Sequence, residues 1–70
     1  MELIAENGTI LLINGNTIEI FGDICIKAEA QAVFYDKYSN FDYAITKEIK
    51  IYPYYEHGRL LHFSLQEYKG

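Results

Sequence analysis

The 70-residue chain contains a single cysteine, Cys25, a single proline and no tryptophan. One cysteine excludes the intramolecular disulfides that stabilise most small secreted domains. We therefore expect a reducing compartment: the cytoplasm, or the host cytoplasm for a phage-encoded protein. A chain of this length buries only about 60% of its unfolded surface. We interpret residues 1–70 as a single domain of marginal stability, for which oligomerisation is a common remedy.

Basic residues are absent from the first part of the chain. Residues 1–26 contain four acidic side chains and no Lys or Arg, so the net charge of −4 arises there. Nucleic acids and anionic membranes are not expected partners, because both need clustered basic residues. The first residues have neither a basic region nor an apolar stretch of signal-peptide length, so we expect no signal peptide. No apolar run of about 18 residues is present in the sequence. The acidic segment is interpreted as a solvated rim or, alternatively, as a patch for a basic partner surface.

Period-2 alternation and glycine-containing turns indicate β-structure. The turn signals in the first part of the chain are Asn7-Gly8, Asn14-Gly15 and Gly22-Asp23. Between them the sequence predicts the strands Leu3–Glu6, Thr9–Ile13 and Thr17–Phe21. From residue 41 to 51 the apolar positions are Phe41, Tyr43, Ile45, Ile49 and Ile51, which we assign to one face of a strand.

Three further features complete the fold prediction. Pro53 is expected to end strand pairing or to lie at an edge, and Leu60–Tyr68 is the last predicted strand. Residues 24–38 fit a strand and a helix equally well. We predict an all-β antiparallel meander of five to six strands, with a partly closed barrel or an oligomeric sheet as variants. The alternative is an α+β domain with one helix at about 24–38.

The run from Gly22 to Ile51, GDICIKAEAQAVFYDKYSNFDYAITKEIKI, resembles a repeat of the OstA-like lipopolysaccharide-transport β-jelly rolls. The likeness covers less than half of the chain and consists of strand and turn residues. It implies β-structure for this run, and no site or activity is carried over from it.

Four consecutive apolar residues suggest that the chain assembles. In a strand, Ile10, Leu11, Leu12 and Ile13 point alternately to two faces, so both faces need cover. A helix at 24–38 would provide the second cover, and without it another copy or a partner must do so. We predict a homo-oligomer interface at these four residues, most simply in a two-fold dimer.

No catalytic motif is present: the chain lacks a Walker A loop, a dinucleotide fingerprint and a nucleophile elbow. His57 and His62 lie on a predicted turn and a strand, so they are not expected to converge on a metal. Asp36 and Asp42 flank a polar turn rather than a cleft, and Cys25 is expected to be a small buried side chain. We predict no enzyme activity, no metal and no cofactor.

Seven tyrosines are the unusual feature of the composition. Tyr and Arg are enriched in binding hot spots, although cross-strand aromatic pairing explains tyrosines in sheets equally well. The candidate partner-binding residues are Tyr52, Tyr54, Tyr55, His57 and Arg59. We predict a non-catalytic protein-interaction module, a small acidic inhibitor that occupies a surface of a larger macromolecule. The alternatives are a small-molecule-binding protein with a site between protomers and a structural subunit of a larger assembly.

Overall fold

The computed structural model describes residues 1–67, which form one seven-stranded antiparallel sheet with the strands in chain order. The strands are β1 Glu2–Ile4, β2 Ile10–Asn14, β3 Thr17–Phe21, β4 Ile26–Tyr35, β5 Phe41–Thr46, β6 Ile49–Glu56 and β7 Arg59–Glu67. The predicted all-β meander is confirmed. The alternative helix at about 24–38 is wrong, because β4 pairs with a strand on each side. Tyr68, the last residue of the predicted final strand, lies outside the described residues.

There are seven strands, rather than five or six, because residues 41–51 form two strands joined by a turn at 47–48. Thr46 organises this turn. Its hydroxyl donates to the Ile49 carbonyl at 3.1 Å and accepts from the Ile49 and Glu48 amides at 3.1 and 3.3 Å. The Thr46 side chain is buried, not on the outer face as the alternation indicated. Its three hydrogen bonds offset the cost of burying a hydroxyl.

Strand β4 divides the sheet into two layers. Its first residues pair with β3, from Ile26 opposite Ile20 to Glu29 opposite Thr17. From Ala30 onward it pairs with β5 instead, after a register shift between Ala30 and Ala32. Such a bulge bends and twists a strand. We call β1 to β3 with residues 26–29 the N-terminal layer, and residues 30–35 with β5 to β7 the C-terminal layer.

The core lies between the two layers and is mainly apolar. It is one cluster with members from both layers: Leu11, Ile13, Ile18, Ile20, Phe41, Ala44 and Ile51. Leu11, Ile18 and Ile51 are the largest side chains that are fully buried. Each layer therefore has one face on the core and one outer face.

A second register shift changes which residues of β5 face the core. Phe34 pairs with Tyr43 and Tyr35 pairs with Phe41, so Asp42 is an extra residue in β5. After it the alternation is reversed: Ala44 is buried, whereas Tyr43 is only partly buried. The prediction that Tyr43 and Ile45 share a face with Phe41 and Ile51 is therefore wrong, because a single inserted residue exchanges the two faces.

The open ends of the sheet contact each other without closing it. Within residues 1–67, β1 and β7 do not pair as strands. The loop after β1 reaches β7 instead: the Glu6 and Asn7 amides donate to the Leu60 and Leu61 carbonyls at 2.9 and 3.1 Å. The side chains of Glu6 and Arg59 add a bidentate ion pair to this contact. The sheet is thus fastened at one corner but is not a closed barrel.

Pro53 lies inside β6 rather than at its end, opposite Phe63 of β7. Pairing between β5 and β6 comprises only Ala44 with Ile51 and Ile45 with Lys50. Beyond Ile51, one edge of β6 is therefore not paired with any described strand. At such an edge the amide hydrogen that Pro53 lacks is not needed for pairing. Of the two sequence predictions for Pro53, the edge position is the one observed. Strand pairing does not end at Pro53, because β6 stays paired with β7 as far as Glu56.

Candidate functional site

Aromatic rings from three adjacent strands stack on the outer face of the C-terminal layer. The ring centroids of Phe34 on β4 and Tyr43 on β5 are 4.4 Å apart, with an interplanar angle of 19°. Tyr43 also stacks on Tyr52 of β6, at 5.7 Å and 26°. The register places these rings side by side, because Phe34 and Tyr43 are directly opposite each other. Such aromatic pairs contribute about 0.5–1.5 kcal/mol each beyond their buried area.

A second stacked pair continues this surface on β6 and β7. Tyr54 lies opposite His62, and their ring centroids are 4.8 Å apart at 10°. Tyr54 is two residues after Tyr52, so both point to the same face of β6. We call Phe34, Tyr43, Tyr52, Tyr54 and His62 the aromatic strip.

The aromatic strip is stacked on itself but is not covered. Tyr54 is 48% exposed and Phe34 39% exposed, while Tyr43 and Tyr52 are partly buried. Tyr43 has a stacked ring on each neighbouring strand, so its two faces are occupied and only its edge and hydroxyl are available to a partner. Sugars and nucleobases bind aromatic side chains by stacking on a free ring face. Tyr43 is the ring of the strip with a stacked neighbour on both sides, and each of the other four has one.

The structure separates the five predicted partner-binding residues. Tyr52 and Tyr54 lie in the aromatic strip. Tyr55 points to the opposite face of β6 and its hydroxyl donates to the Phe41 carbonyl at 3.3 Å. Burial, with smaller contributions from two nearby aspartates, raises the pKa of Tyr55. A fixed hydroxyl and a raised pKa are typical of a structural tyrosine.

His57 and Arg59 have structural roles in and beside the last turn. His57 and Gly58 are the central residues between Glu56 and Arg59, and both have positive φ, 53° and 75°. That is the type I′ geometry preferred in two-residue hairpins. Arg59 forms the ion pair with Glu6, which raises the pKa of the guanidinium. These two side chains are exposed but lie outside the strip.

Three members of the aromatic strip were not predicted: Phe34, Tyr43 and His62. The sequence signal was misleading for Phe34 and Tyr43, because uninterrupted alternation assigns Tyr43 to the core face. Both lie beside the register shift at Asp42. His62 has no sequence signal of its own, since only its pairing with Tyr54 identifies it.

The four residues of the predicted oligomer interface lie on two different faces. Leu11 and Ile13 are in the core, 0% and 7% exposed. Ile10 and Leu12 are half-buried on the outer face of the N-terminal layer. There, Ile10 is flanked by two exposed apolar side chains, Ile4 at 61% and Phe21 at 40% exposure. Of the four predicted interface residues, Ile10 and Leu12 are therefore the two that are available for contact with another molecule.

An open groove lies where β4 changes partners. Its volume is about 900 Å³, and it is bounded by residues 26–31 of β4 and by the turn from Thr46 to Ile49. Ile26, Ala30 and Ile49 provide apolar surface, and two lysines and two glutamates surround it. The charged residues balance, so the groove favours neither a cation nor an anion.

Asp36 and Cys25, two of the candidate chemical groups, lie in segments between strands. Asp36 Oδ1 accepts hydrogen bonds from the Asn40 and Tyr38 amides at 2.9 and 2.8 Å, and these hydrogen bonds lower its pKa. Asp36 therefore stabilises the turn between β4 and β5. Cys25 is exposed, contrary to the expected burial, because it lies just before β4 begins. In residues 1–67 no three potential metal ligands cluster, and no helix could cross a membrane.

Comparison with protein-family models, with curated proteins and with solved structures yields no match for this chain.

Proposed function

We propose that the chain is a non-catalytic protein-interaction module that binds a larger protein through the aromatic strip. The observation that carries the proposal is a row of stacked, partly exposed rings on an outer sheet face. Exposed tyrosines in ordered positions lose little conformational entropy when they bind. The strip therefore has the composition and the rigidity of a binding hot spot.

The mode of action we propose is occupation of a partner's surface, as a small acidic inhibitor would do. The sequence has no catalytic motif, and the proposed effect on the partner is to block its surface. A cytoplasmic location is part of the proposal and agrees with a single free cysteine.

The experiment is affinity capture from source or host lysate, with identification by mass spectrometry, followed by binding measurements on the purified partner. Tyr54→Ala and Phe34→Ala remove exposed rings of the strip. Tyr38→Ala is the matched control, because Tyr38 is 73% exposed and lies in the β4–β5 loop outside the strip. We expect wild type and control to bind alike, and each strip variant to bind at least tenfold more weakly.

Two results would contradict the proposal. One is a captured partner whose affinity is unchanged in both strip variants. The other is equal weakening by Tyr38→Ala, which would mean that any tyrosine on the surface matters. Circular dichroism of each variant establishes that the sheet is retained.

A second candidate function is small-molecule binding, which the groove beside β4 favours. Its volume of about 900 Å³ is within the range of ligand pockets, about 300–1,000 Å³. Native mass spectrometry of protein purified from its source would detect a bound ligand as added mass. An Ala28→Phe variant, which places a ring in the groove, should lose that mass, whereas Tyr54→Ala should keep it.

A further inference from the structure

The outer face of the N-terminal layer has an ordered arrangement of apolar and charged side chains. The strand registers align two rows across this face. One row is apolar and contains Ile4, Ile10 and Phe21, from β1 to β3. The neighbouring row contains Glu2, Leu12, Glu19 and Lys27, from β1 to β4.

The ends of the second row carry opposite charges. Glu2 lies at the β1 end and Lys27 at the β4 end. Within the row, Glu19 and Lys27 already form an ion pair at 3.5 Å. Lys27 is the first basic residue of the chain. Leu12 and Glu19 lie between these ends. A reversed copy of the row would place Glu2 opposite Lys27 at both ends and Leu12 opposite Glu19 between them.

We propose that this face binds a second copy of the chain, face to face, about a two-fold axis parallel to the strands and between β2 and β3. This axis reverses the order of the strands in the second copy. Ile10 of each copy then packs against Phe21 of the other. Glu2 of each copy comes opposite Lys27 of the other, so the acidic end of each row contacts a basic one.

The alternative occupant, a protein with a basic surface, fits this face less well. Such a partner would meet Glu2 and Glu19 favourably but would place its positive charge beside Lys27. A second copy places a side chain of opposite charge against each end of the row. Packing two sheets face to face with nearly aligned strands is also the usual arrangement of β-sandwiches.

The size of the face indicates a weak dimer. Four strands at about 4.8 Å spacing and five residues at about 3.4 Å cover roughly 330 Å² of sheet. A standard stable interface buries about 800 Å² on each partner. Even with flanking side chains, the face is small by comparison. We therefore expect a dissociation constant of tens of micromolar or above, and a monomer at low micromolar concentration.

The test is sedimentation equilibrium of the full chain from about 5 μM to 1 mM, which brackets the dissociation constant expected from an interface of this size. We expect a shift from monomer to dimer in this range. Leu12→Asp should leave a folded monomer throughout. Should Leu12→Asp fail to fold, Ile4→Asp tests the same face with a side chain that is 61% exposed.

The matched control is Tyr54→Asp, which introduces the same charge on the other layer. It should dimerise like the wild type. A wild-type monomer at 1 mM would overturn the proposal, and so would a dimer that persists in both N-terminal variants. A dimer that Tyr54→Asp dissociates would assign self-association to the aromatic strip instead, and would leave the proposed partner binding to be judged by its own capture experiment.

A charge exchange tests the orientation of the two copies. Glu2→Lys and Lys27→Glu should each weaken dimerisation about tenfold, because each places like charges opposite one another. Lys27→Glu also breaks the ion pair with Glu19, so these variants are made in a Glu19→Gln background. There the double variant restores opposite charges between the copies and should return to within about threefold of the Glu19→Gln protein. Weakening by both single changes without recovery in the double variant would rule out this two-fold axis.

Discussion

Two neighbouring leucines offer the clearest test of how β2 is oriented. Leu11 is 0% exposed and belongs to the core cluster, whereas Leu12 is half-buried on the outer face. The two residues have the same side chain and occupy adjacent positions in the same strand. Replacing each with Ala therefore compares the two faces with little change in strand propensity.

The expected losses differ about twofold. Leu→Ala at a fully buried site costs about 2–5 kcal/mol, because a cavity is added to the lost transfer free energy. For Leu12, roughly three quarters of three methylene equivalents at roughly 0.8 kcal/mol each gives about 2 kcal/mol. A 70-residue domain has a total stability of roughly 3.5–10 kcal/mol. Leu11→Ala should remove a larger share of this stability than Leu12→Ala.

The assay is urea unfolding of the protein at 2 μM, a concentration at which we expect a monomer. Unfolding is monitored by far-UV circular dichroism and tyrosine fluorescence. With an m-value of about 1 kcal/mol/M, the midpoint should fall by about 3 M for Leu11→Ala and about 2 M for Leu12→Ala. If Leu11→Ala is unfolded without urea, Leu11→Val gives a smaller loss that can be measured. Equal losses at the two positions, or a larger loss at Leu12, would refute the assignment of the faces.

Two further predictions concern the corner contact and a glycine. Arg59 holds the pKa of Glu6 below its usual range. The ion pair therefore stabilises the fold fully at pH values above the ordinary carboxyl pKa of about 4.3. This stabilisation is lost as the pH falls through the lowered pKa. Glu6→Gln should therefore have a lower urea midpoint than wild type at pH 7 and an equal one near pH 2; a constant difference would contradict this. A Cβ at Gly22 would lie 2.9 Å from Thr9 Oγ1, so Gly22→Ala should force the Thr9 side chain away from its rotamer, at a cost of about 0.5–1.5 kcal/mol. In a Thr9→Ala background that cost should largely disappear, and a loss independent of Thr9 would refute the steric explanation.

The turns of the meander could be predicted from the sequence because they depend on local chemistry. Gly15 has φ of 60° and begins the two-residue loop between β2 and β3, where Asn14 pairs with Thr17. Glycine at the first central position is typical of a type II′ turn. The sequence located this turn within one residue, because few residues other than glycine adopt positive φ at low cost.

The faces of β4 and β5 could not be predicted, because they depend on two register shifts. Asp42 is inserted opposite the Phe34–Tyr35 step, and Gln31 lies between Ala30 and Ala32 at the other shift. Neither residue is a glycine or a proline, so neither marks a bulge locally. What favours the bulges is the fit of the two layers around one core, which is a property of the whole sheet. The aromatic strip was missed for the same reason.

The two outer faces are independent of each other, and this constrains how the protein could work. The inner sides of both layers meet in one core, so the outer face of the N-terminal layer and the aromatic strip lie on opposite sides of the molecule. A dimer formed through the N-terminal layers would have four layers, with the two strips on its outermost surfaces. At about 10 Å between packed sheets, the strips would be roughly 30 Å apart and would point in opposite directions. One flat partner surface could not contact both strips. Dimerisation would therefore add no avidity for a single binding site but would allow one dimer to join two partner molecules.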